Sequence, residues 1–99
     1  MPPFYGQVIA ASYGSVKSGI IAIYFILSGD TAVKIGYTTN LDLRLSTLQS
    51  SNPEELKTYR VVNGSMLKER RLHRIFKHQH IRGEWFRWCD EIREAIDKL

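Results

Sequence analysis

Eight consecutive residues, Ile20 to Leu27, carry no charge and only one polar group, the hydroxyl of Tyr24. This run constrains the fold more than any other feature of the chain. It is β-branched and aromatic, it is bounded by Ser28-Gly29-Asp30, and it is far shorter than the roughly 20 residues a membrane helix needs. Thr31 to Tyr37 then alternates, with Val33, Ile35 and Tyr37 on one face, so the two segments read as a hairpin. The run also lies too far inside the chain for a signal peptide, and Cys89 is a single cysteine with no internal partner. A reducing cytoplasm is the expected setting, with no membrane partner.

The remaining elements follow from caps and stripes. Residues 1–19 hold two prolines and scattered Gly and Ser without a period, and read as an N-terminal arm or linker with a short strand near Val8. Asn40 is placed to cap a helix whose stripe is Leu41, Leu45 and Leu48, ending at Ser50-Ser51-Asn52-Pro53. Leu56 to Val62 reads as a third strand closed by Asn63-Gly64. Ser65 then caps a second helix, with Leu72 and Ile75 as its buried centre, Phe76 at the edge and Glu69 beside Phe76. Asp90 is expected to cap a last helix that buries Ile92, Ala95, Ile96 and Leu99. Ninety-nine residues suffice for one domain. The expectation is an α+β fold over residues 20–99, a small antiparallel three-stranded sheet flanked by helices in the order β-β-α-β-α-α.

The charge is local. Met66 to Arg82 contains Lys68, Arg70, Arg71, Arg74, Lys77 and Arg82 against one acid, Glu69, so this segment is +5 while the whole chain is +4. Arg70, Arg71, Arg74 and Lys77 point away from the stripe, as a phosphate-backbone contact or a solvated face would have them. Glu69 at a core boundary needs a partner, either a neighbouring basic residue or a bound cation. Arg44 follows Leu41 by three residues and leans over the sheet. Tyr24 and Lys34 are separated by an even number of positions, so an odd-length connection or a bulge puts both on one face, whereas a two-residue turn at Gly29-Asp30 separates them.

Taken in order, these residues resemble the GIY-YIG nuclease superfamily, whose signature is two tripeptides on a hairpin, then a helical arginine, then a helical glutamate. Ala22-Ile23-Tyr24 stands for the first tripeptide and Lys34-Ile35-Gly36 for the second. Arg44 follows, and Glu69 opens Glu69-Arg70-Arg71-Leu72-His73. The likeness is closest to a phage and bacterial branch with K-I-G, Asn52-Pro53 before the third strand, and Gly83-Glu84-Trp85-Phe86 near the end.

The resemblance implies a metal-dependent endonuclease that hydrolyses phosphodiester bonds. Glu69 would hold one Mg2+ or Mn2+, in a one-metal scheme in keeping with no second carboxylate being recognised close by. Arg44 would contact the scissile phosphate. Tyr24 would position or deprotonate water if a cation or Lys34 lowered its pKa, and Lys34 is the other candidate base. His73 and Tyr37 are secondary. Arg70, Arg71, Arg74, Lys77, Arg82 and Trp88 would contact nucleic acid, with DNA expected ahead of RNA. Intrinsic sequence specificity would be weak, so target choice would fall to the arm, a homodimer or a separate partner. Two other readings stand beside this one. The same fold could bind nucleic acid without turnover, or His73, His78, His80 and Cys89 could hold zinc, although their spacings match no common finger.

Overall fold

A computed structural model describes residues 21–99, and the arm expected over 1–19 lies outside them. The elements are β1 (Ala22–Ser28), β2 (Ala32–Thr38), α1 (Leu41–Ser50), β3 (Leu56–Asn63), α2 (Met66–Ile75), a 3-10 turn (Lys77–Gln79), β4 (His80–Arg82), β5 (Trp85–Arg87) and α3 (Asp90–Asp97). The class is α+β, as read from the sequence. The sheet, however, has five strands rather than three, all paired antiparallel in the order β3-β1-β2-β5-β4. The two unforeseen strands have three residues each, too few to show a two-residue period. Gly83, at φ 52, makes the turn between them.

β1 has a strand on each side and a core on each face, which is why its sequence lacks alternation. Ile23 and Phe25 enter one core with Val33, Ile35, Leu72, Phe76, Phe86, Ile92 and Ile96. Ala22, Tyr24 and Ile26 enter the other with Leu45, Leu56 and Val61. Thus α2 and α3 cover one face of the sheet and α1 covers the opposite face. Ser28 pairs with Ala32 across a three-residue loop, Gly29-Asp30-Thr31, with Gly29 at φ 58. This odd connection sets Tyr24 opposite Gly36 and Ile26 opposite Lys34, so Tyr24 and Lys34 share the α1 face.

Two of the three expected caps form. The Asn40 side chain accepts from Leu43 N at 3.2 Å, and Ser65 accepts from Lys68 N at 3.1 Å. The third does not: Asp90 lies inside α3, and Cys89 occupies the cap position without a side-chain bond. The stripe of α2 is also rotated from the expected one. Glu69, Leu72 and Phe76 face inward while Ile75 is exposed, because α2 turns toward β2 through Glu69 and His73 rather than through its apolar residues alone.

A bulge in β3 fixes α3. Phe25 faces Arg60 and Ile26 faces Thr58, which leaves Tyr59 as the extra residue and turns Tyr59 and Arg60 toward one face. Tyr59 donates to Asp97 Oδ1 at 2.6 Å, and the Arg60 guanidinium donates to the carbonyls of Ile96 and Leu99. Arg60 thereby adds side-chain donors to the C-terminal end of α3, where Leu99 N–H already bonds the Ile96 carbonyl. No described helix is long and apolar enough to cross a membrane.

Candidate active site

β5 pairs with β2 only from Ala32 to Lys34. Beyond that point, Ile35 is held individually. Its N–H donates to the Glu84 carbonyl at 2.9 Å, and His73 Nε2 lies 2.7 Å from its carbonyl oxygen, close enough to donate to it. The sheet therefore has a notch beside Gly36, and the candidate side chains gather around that notch.

Tyr24 rises from β1 directly across from Gly36. Arg44, on α1, donates from Nη1 to the Tyr24 hydroxyl at 3.3 Å. Tyr24 in turn donates to Glu84 Oε1 at 3.5 Å, and the same carboxylate oxygen lies 3.7 Å from Lys34 Nζ. Lys34 also stands over the Trp85 ring, 5.2 Å from its centroid. The glycine is essential to this arrangement. A Cβ at residue 36 would strike the Tyr24 ring and lie 2.7 Å from Glu84 Oε1.

Glu69 lies on α2, which covers the other side of the sheet. It is buried to 5% exposure, and its Oε2 lies 3.1 Å from His73 Nε2. Desolvation pushes its carboxyl above the ordinary value, opposed by His73; the charge of Glu84 pushes it further up and Arg70 pulls it down. Tyr24 is pushed up to about 12, first by burial and then by Glu84, with the Arg44 hydrogen bond pulling the other way. With no cation bound Tyr24 is thus a neutral donor, and the carboxylate beside Lys34 Nζ is that of Glu84.

The structure thus brings together Tyr24, Lys34 and Arg44 and sets Glu69 and His73 at the margin of the same group. It also adds Glu84, which corrects the reading that no second carboxylate stands near. That residue lay in plain view in Gly83-Glu84-Trp85-Phe86, but only the pairing of Trp85 with Lys34 reveals where it sits. Tyr37 and Trp88 turn to the opposite face of the sheet from Tyr24 and Lys34. Both pack half-buried on the core beneath α2 and α3, and Trp88 meets Tyr59 edge-on at 4.9 Å between centroids. The aromatic ring beside the site is Trp85 instead. Arg70, Arg71, Arg74 and Lys77 are exposed, as is Arg82 on edge strand β4, and none has an ion-pair partner among the described residues.

The zinc reading fails on geometry. His78 bonds Glu91 at 2.8 Å, His80 bonds the Gly83 carbonyl at 2.8 Å, and no three His, Cys, Asp or Glu side chains converge among the described residues. A hard dication is a different case. Magnesium keeps several waters and takes one or two carboxylates plus substrate oxygens. Glu69, a buried carboxylate whose ionisation is opposed by desolvation and by a second acid nearby, has the donor chemistry that such an ion fits.

No curated protein and no solved structure matches the chain. The T5orf172 domain matches residues 19–99, which takes in every side chain of the cluster. The chain therefore belongs to the T5orf172 domain family, a domain found in phage and bacterial nuclease-like proteins.

Proposed function

We propose that this domain is a GIY-YIG-type endonuclease that hydrolyses phosphodiester bonds of nucleic acid, DNA in preference to RNA, with one Mg2+ or Mn2+. The observation that carries the reading is the meeting of a phenol, a guanidinium and an ammonium over the bare backbone of Gly36, with a buried carboxylate from the opposite side of the sheet. In the free protein the Glu84 carboxylate draws Tyr24 and Lys34 together while Arg44 bonds Tyr24, and such a set of donors suits an anion.

The geometry supports the following roles. Arg44, exposed on α1 yet bonded to Tyr24, has its other guanidinium N–H groups to present to a phosphate and would stabilise charge as it develops. Tyr24, protonated at neutral pH, orients a phosphate oxygen or the attacking water as a donor rather than as a base. Lys34 contributes positive charge beside the Trp85 ring. Glu69 would hold the divalent ion, which would lower the pKa of a bound water and offset negative charge on the phosphoryl oxygens. His73, bonded through Nε2 to the Ile35 carbonyl, anchors α2 to β2 with the Glu69 carboxylate 3.1 Å from that nitrogen. The exposed bases of α2 supply salt-sensitive contacts to the backbone of the nucleic acid.

The test is cleavage of labelled single-stranded, duplex and branched substrates with Mg2+, Mn2+ or EDTA. Arg44→Ala should lower the rate at least about a hundredfold, as loss of one such donor does elsewhere, and leave the melting temperature near that of the wild type. Glu69→Ala should be inactive. Products formed in EDTA, or by Glu69→Ala, would overturn the reading. Tight binding without turnover in any metal would mark the domain as a binding module on this fold.

A further inference from the structure

Glu84 is a carboxylate set among donors that the proposed chemistry needs for a phosphate. Its Oε1 accepts from the Tyr24 hydroxyl at 3.5 Å, lies 3.7 Å from Lys34 Nζ, and hangs over Gly36 within 2.7 Å of where a Cβ would be. A carboxylate and a phosphodiester are both monoanions that present oxygens to such donors. Both contacts of Glu84 are long, so neither is strong. The side chain is 35% exposed, with an open path to solvent. Its backbone, by contrast, is pinned, since the Glu84 carbonyl takes the Ile35 N–H at 2.9 Å. The residue is thus held beside the site by its main chain and is free to leave it by its side chain.

We propose that Glu84 is an internal stand-in for the phosphate: in the free protein its carboxylate fills the anion position among Tyr24, Lys34 and Gly36, and nucleic acid must displace it to bind. The proposal rests on the nuclease reading and adds to it a competitor built into the chain. It gives Glu84 a purpose that a fixed counter-ion lacks, because a carboxylate that stayed in place would repel the incoming phosphate. Occupancy by Glu84 keeps the cationic group paired and discourages casual anions. A polyanion anchored by the α2 bases has the added contacts to win the exchange.

The experiment is fluorescence anisotropy of the full chain with a labelled oligonucleotide, single-stranded and duplex, in EDTA at fixed salt. Wild type, Glu84→Gln, Glu84→Asp, Lys34→Ala and the double variant Glu84→Gln/Lys34→Ala are compared. Glu84→Gln is expected to bind roughly fivefold tighter, a gain that loss of a merely structural contact does not produce. Glu84→Asp keeps the charge and should show no such gain. In the Lys34→Ala background the gain should shrink, because the masked cation is gone. Should Glu84→Gln fail to fold by circular dichroism, Glu84→Ala must show the same tightening. Binding that is unchanged or weaker in the folded neutral variant overturns the stand-in while leaving the nuclease reading in place. Absence of binding by wild type and variants alike, together with absence of cleavage in Mg2+ or Mn2+, overturns both.

Discussion

Gly36→Ala isolates the geometry on which the site depends. The added methyl would lie 2.5 Å from Cζ of Tyr24 and 2.7 Å from Glu84 Oε1, where ordinary contact begins near 3.4 Å. Glu84 can swing away, since its side chain is partly exposed. Tyr24 cannot, because its ring is fully buried among Ala22, Ile26, Leu45, Leu56 and Val61. The ring must therefore retreat by roughly 1 Å into a filled core, which costs about 1–3 kcal/mol. For a domain of this size that is a fall in melting temperature of about 4–8 °C for each kcal/mol. The same displacement carries the hydroxyl away from Arg44, and a 1 Å misplacement in an active site costs about a hundredfold in rate. The assay pairs a circular-dichroism melt with nicking at a temperature where the variant is folded. Gly29→Ala is the control. Its φ of 58 also strains an alanine, at about 1–2 kcal/mol, but its Cβ would only touch Glu54 at 3.8 Å, so stability should drop and cleavage persist. A Gly36→Ala protein that melts within about 2 °C of wild type and cleaves within about threefold of it would refute the reasoning.

Three other perturbations probe separate parts of the structure. Tyr24, raised to about 12 in the fold against about 10 unfolded, contributes stability that is complete below pH 10 and is lost as pH rises toward 12. Tyr24→Phe should remove the last tyrosine to ionise in an alkaline absorbance titration and flatten the alkaline stability loss, and an unchanged titration would count against it. Glu69 is likewise raised, so its ionised form weighs on the metal-free fold at neutral pH and is relieved as pH falls. Glu69→Gln should then melt at or above wild type at pH 7 in EDTA, lose the advantage in acid, and abolish cleavage; a clearly lower melt at pH 7 would show that the His73 contact outweighs burial. Arg60→Ala strips donors from the carbonyls of Ile96 and Leu99 and should cost about 1–3 kcal/mol in a denaturant melt, with nicking retained once folded.

Much of this arrangement was legible from the residues, and the exceptions have physical causes. The hairpin, the Asn40 and Ser65 caps and the inward face of α3 follow from local chemistry, since a cap or a stripe is decided within a few residues of itself. The shared face of Tyr24 and Lys34 was open at the level of sequence, because parity across a hairpin depends on one residue in the loop. Three failures share one origin, the short β4–β5 hairpin. Its strands carry too few residues for a pattern, and its pairing with β2 is nonlocal. That pairing seats Trp85 beside Lys34, brings Glu84 over Gly36, and leaves Trp88 to the far core. Ile75 misled for a different reason. Apolar character placed it inward, but the helix instead turns a carboxylate and an imidazole toward the sheet.

That exchange of an isoleucine for a glutamate at the helix interface is the clearest sign that α2 is positioned by more than packing. A β-sheet ordinarily insulates its two faces, and Tyr24 on the α1 face should be remote from a residue on a helix that packs against the other. Here β5 stops at Lys34 and Gly36 carries no side chain, so the barrier is missing at one spot. His73 bonds the Ile35 carbonyl beside it, and in doing so fixes α2 to β2 with Glu69 one helical turn away from that contact. The charge of Glu69 is accordingly felt at Tyr24, and that of Glu84 at Glu69. The truncated strand, the glycine and the buried acid are each unfavourable for stability alone, and they coincide where a reaction would need donors from one face and a carboxylate from the other.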